Sequence, residues 1–273
     1  MDGRMNGALD RPIRVVFFGG PYLQPSAVRF AAMLDEHPEI DLVLGLCQGE
    51  GAGMKHRLRN LWRRRGLAAV PVLALETIGE LWQFARHPRA ACALRRRATG
   101  ALRKFATVPD LHAPQVLQRV RAAAPDLGVI YGAPILKPGL FDIPALGTLG
   151  VHHGRAPQYR GKKTTFWEMY NGERTAGVTI QRVNPGIDTG DTVRAGEVEI
   201  GRKSYSRVWR EVEDLGCELY LAAVLDLQRG QATFVPQDPG APRGPLYKQP
   251  SPRDILRFWL RRWTGRPAHV ASP

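Results

Sequence analysis

Cysteine is scarce in this chain. Cys47, Cys92 and Cys217 are far apart, with neither CxxC spacing nor companion histidines, which argues for structural or incidental thiols and against a zinc or redox centre. Apolar runs of about 18 residues, the length a bilayer-spanning helix needs, are also missing. The segment Met1 to Arg11 carries charges and glycine without the apolar core of a signal peptide, so a cytoplasmic location is expected. A GxGxxG fingerprint is absent too. Gly19-Gly20 follows the first strand-like run, but Pro21 removes a backbone donor, leaving open an ordinary tight turn or a contact to a phosphate or substrate.

Acidic residues are nearly absent from one stretch. The chain carries a formal +14 over 273 residues, and between Gly51 and Phe105 thirteen Lys and Arg stand against Glu76 and Glu80. A second basic group, Arg253, Arg257, Arg261, Arg262 and Arg266, lies near the other end. Such clusters attract anions in general, from nucleotides to acidic lipid headgroups, or they are solvated faces. Leu58, Leu61, Trp62, Leu81 and Trp82 among the arginines give the basic stretch an amphipathic look, compatible with packing onto the domain or with peripheral membrane contact. Base-stacking aromatics are too few there to suggest nucleic acid.

Along the rest of the chain, apolar patterning alternates between strand and helix. Ile13 to Phe18 reads as a strand, Ser26 to Leu34 as a helix and Ile40 to Leu46 as a second strand. Ala69 to Leu73, Leu127 to Tyr131, Leu146 to His152 and Val193 to Ile200 are further candidate strands, and Pro114 to Ala124 and Ser206 to Leu227 candidate helices. This alternation favours an α/β fold, a mostly parallel sheet with helices on both faces. Residues 12–200 are expected to form the main domain, with the basic stretch at about 51–105 inserted in it. Residues 201–273 would add a helix and a Pro/Gly-rich basic extension ending in a short helix around Ile255 to Leu260.

Chemistry-bearing residues concentrate between Gly147 and Asp191. On a strand, positions 150 and 152 share a face, so His152 lies with Gly150 while His153 points the other way. Asp188 sits in Asn184-Pro185-Gly186-Ile187-Asp188-Thr189-Gly190, a loop by its composition. An imidazole with a carboxylate to orient it can donate to a developing oxyanion and relay protons near neutral pH. Arg160, in Tyr159-Arg160-Gly161, can order its loop or bind an anion.

Together with Tyr131-Gly132 and Ile135-Leu136-Lys137, the run His152, Pro157, Tyr159-Arg160-Gly161 and Ile187-Asp188-Thr189-Gly190-Asp191 resembles the folate-dependent formyltransferase family. That family's motif reads roughly Asn-x-His-x-Ser/Gly-x-x-Pro-x-Tyr/Trp-Arg-Gly, and this chain departs from it with Gly150 in the asparagine's place. The resemblance implies a Rossmann-like fold and transfer of a formyl group from 10-formyltetrahydrofolate to an amine. By position, the catalytic roles fall on Gly150, His152 and Asp188. The folate pocket falls on Ala133, Pro134, Ile135 and Leu136, on Phe141, and on Arg182, Val183, Asn184, Pro185, Gly186 and Ile187. Gly19, Gly20 and Arg160 are candidates for the acceptor side, and no metal is implied. A small or sugar-linked amine, anionic ones included, is the expected acceptor in preference to tRNA, because tRNA-acting relatives carry a further C-terminal barrel. The alternative is a catalytically impaired binding or regulatory protein on the same scaffold, or a related reaction.

Overall fold

Ile13–Gly19, strand β1, lies at the centre of the sheet and shows how the two cores are separated. Ile13, Val15 and Phe17 point into one apolar cluster, and Val16 and Phe18 into another on the opposite face, the period-two alternation of a strand buried on both sides. The computed structural model describes residues 7–20, 24–49, 93–94, 96–237 and 244–264. Most of the basic stretch, the strand expected at Ala69 to Leu73, Pro21 and Cys92 therefore lie outside the described residues.

After β1 come α1 (Pro25–Glu36), β2 (Ile40–Gln48), α2 (Thr99–Arg103), β3 (Phe105–Val108), α3 (Pro114–Ala122), β4 (Leu127–Tyr131), α4 (Pro138–Phe141) and β5 (Thr148–His152). There follow β6 (Arg160–Gly161), α5 (Thr164–Asn171), β7 (Thr175–Arg182), β8 (Thr192–Glu199), α6 (Tyr205–Gln228), β9 (Leu246–Tyr247) and α7 (Pro252–Thr264). The main sheet runs β3-β2-β1-β4-β5-β7-β8. Pairing is parallel through β5, and β7 and β8 join antiparallel. The fold is thus α/β and Rossmann-like. The strand order reverses between β1 and β4, where open α/β sheets leave a crevice beyond the carboxyl ends of their strands.

A bulge in β2 tunes this arrangement. Val15 pairs with Leu42 but Val16 with Leu44, so Val43 is an extra residue and the alternation is reset. Ile40 and Leu42 accordingly belong to the cluster under α1, and Leu44 and Leu46 to the one on the opposite face.

Two strands of the main sheet escape the sequence reading. β3 is short and half-buried at the sheet edge, with one large apolar side chain, Phe105. In β7, Ala176, Val178 and Ile180 enter the larger core, but Thr179 and Gln181 on the other face are buried and polar, which hides the apolar pattern of a doubly covered strand. α6 packs on β5, β7 and β8. α7 adds Phe258 to the same core, against Phe166, and exposes Ile255, Leu256, Trp259, Leu260 and Trp263.

Tyr220 of α6 is fully buried, stacked on Phe30 with ring centroids 4.4 Å apart. Its hydroxyl accepts from the Ile130 N–H at 2.8 Å and donates to the Leu149 carbonyl at 2.6 Å, joining β4 to β5 just before the motif-bearing strand end. Tyr220→Phe keeps the ring but strands both backbone groups. Its denaturant midpoint should fall by the equivalent of about 2–3 kcal/mol, the usual cost of unsatisfied buried polar groups, with the far-UV spectrum unchanged.

Candidate active site

β5 delivers the site to the carboxyl end of the parallel strands. Thr148, Gly150 and His152 lie on one face, whereas Leu149 and Val151 face the larger core. His153 also lies on that other side: its ring packs at 5.1 Å from Trp209, a Cβ at Gly216 would come 3.3 Å from its Nε2, and burial pushes its titration down to about 3.

His152 is 7% exposed and is held at both ring nitrogens. Nε2 donates to the Tyr159 carbonyl at 2.6 Å, and since a carbonyl only accepts, Nε2 carries a hydrogen. Nδ1 faces Asp188 Oδ1 at 3.4 Å, a charge contact longer than an ideal hydrogen bond. A second proton, on Nδ1, would pair an imidazolium with the carboxylate and make both ring nitrogens donors.

The loop after β7 folds back over the sheet to place Asp188. The Val183 N–H donates to the Thr148 carbonyl at 2.8 Å, and Asn184 Oδ1 accepts from Gly186 N at 3.0 Å and Thr189 Oγ1 at 2.8 Å. Gly190 passes so near the Arg182 carbonyl that any side chain there would collide with it. Asp188 itself has φ +52°, a left-handed conformation unusual for a residue other than glycine. Its Oδ2 accepts from Gly161 N at 2.8 Å, and Oδ1 accepts from Gln181 Nε2 at 3.1 Å as well as facing His152. Gln237 closes the loop from outside, its Nε2 within 3.2 Å of Gln181 Oε1, 3.2 Å of the Asp188 carbonyl and 2.9 Å of the Gly190 carbonyl.

Several proposed folate-pocket residues converge on the same face. Leu136, Phe141, Val183 and Ala133 belong to one apolar cluster, and Val183 Cγ2 would be 3.5 Å from a Cβ at Gly150. Ile135 is 76% exposed at the rim. Arg182 is not brought in by its side chain, which reaches the Phe234 ring and Gly147 on the other side of the sheet. Among the described residues, Arg160 donates a long 3.5 Å contact to the Ile187 carbonyl, in the loop that carries Asp188. Gly19 bridges to Gly132 at the switch point, and a side chain on Gly20 would strike the Gly132 carbonyl. This gives Gly20 a steric reason whatever the turn binds. Among the described residues, no cluster of His, Cys, Asp and Glu could hold a metal ion.

The segment linking His152 to Arg160 is anchored by residues the sequence did not single out. Glu168, fully buried, accepts from the backbone N–H groups of Arg155 at 3.0 Å and Gly177 at 3.1 Å. Arg155 bonds Glu173 at 2.6 Å, and the Tyr159 hydroxyl donates to the same carboxylate at 2.7 Å. Burial pushes Glu168 up to about 7, against the hydrogen bonds of the two amides and the charge of Arg155. Helix periodicity marks Glu168 only as a residue between Trp167 and Met169, so its partners were invisible until the strands were paired.

The family model for formyl transferases matches residues 84–224, just over half of the chain, and the chain belongs to that family. It is similar to the methionyl-tRNA formyltransferases of Synechococcus sp. (36% identity over 152 residues, 54% of this chain and 46% of the relative) and of Ruminiclostridium cellulolyticum (33% over 128 residues, 46% and 41%). It thus aligns with less than half the length of these relatives. Among solved structures, phosphoribosylglycinamide formyltransferase from Bacillus halodurans has a TM-score of 0.52 at 15% identity, covering 78% of this chain and 94% of that one. HypX from Aquifex aeolicus in complex with tetrahydrofolic acid has 0.54 at 16%, covering 93% and 35%. These two show the shared fold.

Glu168 supplies a pH test. Its carboxyl is raised in the folded protein above its ordinary 4.5, so the stability it contributes is complete below that value and is lost as pH climbs through about 7. Thermal melts of wild type should therefore decline across this window relative to Glu168→Gln, whose curve should be flatter. Parallel curves for the two proteins would refute the assignment.

Proposed function

We propose that this chain transfers a formyl group from 10-formyltetrahydrofolate to the amine of a small or sugar-linked acceptor. The observation that carries the reading is the pairing of His152 with Asp188, on the sheet face where Gly150 leaves space beside the apolar wall of Leu136, Phe141 and Val183. Support for the donor comes from family membership and from the fold shared with a tetrahydrofolate-bound protein. The wall suits the flat ring faces of a pterin, and the loop Ala133 to Leu136, exposed at Pro134 and Ile135, offers backbone groups to its polar edge.

In formyl transfer the acceptor nitrogen bonds to the formyl carbon, negative charge gathers on the formyl oxygen, and the bond to the folate nitrogen breaks as that nitrogen takes up a proton. His152 as imidazolium stabilises the oxygen and carries the proton, and Asp188 holds the ring charged and aligned. The acceptor enters from the crevice at Gly19-Gly20 and Gly132, the switch point at which ligands of open α/β sheets bind. Methionyl-tRNA, named in the curated relatives, is the rival acceptor.

One observation favours the alternative of a folate-binding protein without transfer: His152 Nε2 is held by the Tyr159 carbonyl, so the ring must exchange that partner to serve a substrate. A single experiment separates the readings. Incubation with 10-formyltetrahydrofolate and a panel of amino sugars, amino acids and methionyl-tRNA, read by mass spectrometry, should yield a formylated amine and tetrahydrofolate. His152→Ala should lower turnover by at least about 10²-fold while leaving tetrahydrofolate binding in place. Binding without any formylated product would support the alternative.

A further inference from the structure

The antiparallel register of β5 and β7 sets Gln181 directly opposite Gly150 and Thr179 opposite His152. Directly opposed residues share a sheet face, so the Gln181 carboxamide stands on the same face as the imidazole, over a position with no side chain of its own. Among the described residues, a Cβ at Gly150 would find only Val183 Cγ2 within 4 Å, at an ordinary 3.5 Å, which leaves space for a ligand atom in front of it.

The amide's orientation is fixed at both ends. Oε1 accepts from Gln237 Nε2 at 3.2 Å, and Nε2 donates to Asp188 Oδ1 at 3.1 Å. A flipped amide would set its oxygen against a carboxylate oxygen, which excludes that assignment. A primary amide has two hydrogens. Asp188 takes one, and among the described residues no acceptor takes the other. Gln181 is only 8% exposed, so this second N–H is a nearly desolvated donor beside the histidine–aspartate pair.

We propose that Gln181 is a catalytic residue whose second amide N–H binds the oxygen of the formyl group as it gains charge, sharing that oxygen with His152. The inference rests on the formyl-transfer reading above. The acceptor nitrogen bonds to the formyl carbon and the carbonyl electron pair moves to oxygen. When the pair returns, the bond to the folate nitrogen breaks, and that nitrogen receives the proton the amine has lost. Gln181 exchanges no proton and only stabilises the charge. Because the carboxamide reaches the space over position 150 from the neighbouring strand, a carboxamide placed on position 150 itself would serve the same oxygen.

The test compares wild type, Gln181→Leu, Gly150→Asn and the double variant in the full chain. It measures tetrahydrofolate binding by calorimetry and release of tetrahydrofolate from 10-formyltetrahydrofolate, with the best amine of the panel or with water where none serves. Gln181→Leu should lose about 10²- to 10³-fold in kcat, the usual effect of removing one oxyanion donor. Binding and KM should change by less than about threefold, the signature of an interaction made in the transition state. Adding Gly150→Asn should recover at least about tenfold of the loss, which a purely structural defect at position 181 would not allow. Should Gln181→Leu fail to fold, Gln181→Met, similar in length and without an N–H, carries the same comparison.

Retention of wild-type kcat by Gln181→Leu would overturn the proposal alone, as would a loss confined to KM or one that Gly150→Asn leaves unrelieved. A wild type that binds tetrahydrofolate but releases none from the formyl donor, or that binds no folate, would overturn the functional reading and this inference with it.

Discussion

The site depends on where a single carboxylate is held. Asp188 is far from His152 in sequence, on a loop that must double back over the sheet, and nothing about a solvated aspartate would bring it there. The loop is held by shape and by backbone bonding. Gly190 allows contact with the Arg182 carbonyl, Asn184 ties the turn to itself, and Gln237 bonds two of its carbonyls. The carboxylate then satisfies three groups from three elements: the Gly161 N–H of β6, the Gln181 amide of β7 and the His152 ring of β5. Removing the carboxylate takes this partner from all three groups in a partly dry environment, where unmatched polar groups are costly.

Around that carboxylate the sheet divides its labour. One face, under α1 and α6, is almost wholly apolar and supplies the bulk of the packing. The opposite face carries a smaller apolar cluster and, toward β5 and β7, a patch of buried polar groups: Thr148, His152, Thr179 and Gln181. Buried polar side chains weaken a core unless each finds a partner. Here the partners come from loops, the Phe141 carbonyl for Thr148 and the Gly154 carbonyl for Thr179, so the order of the loops and the tolerance of polar groups in the sheet are one property.

Much of this was legible in the residues. The alternation from Ile13 to Leu46 gave the opening strand-helix-strand unit, and the runs at Leu127 and Leu146 gave the next parallel strands close to where they lie. The long helix over Tyr205–Gln228 followed from apolar spacing that a helix cannot disguise. β7 was missed because its outward face is buried yet polar, and a pattern read for hydrophobicity treats Thr179 and Gln181 as solvent-facing. The pairing of His152 with Asp188 came from family motifs; no local rule joins residues on separate elements. Gln181 carried no signal, since its importance lies in strand register, and although the segment around Gln237 resembles one found in sugar and tRNA formyltransferases, its part in closing the loop is not recorded in the linear pattern.

The backbone at position 188 sets two demands against each other. Its left-handed conformation suits glycine or asparagine better than an acid, yet only an acid gives the imidazole a charge to face. The same carboxylate that strains the backbone therefore also ties β5, β6 and β7 to the loop. Exchanging the aspartate for glycine would relax the backbone but take the acceptor away from the Gly161 N–H, the Gln181 amide and the His152 ring at once.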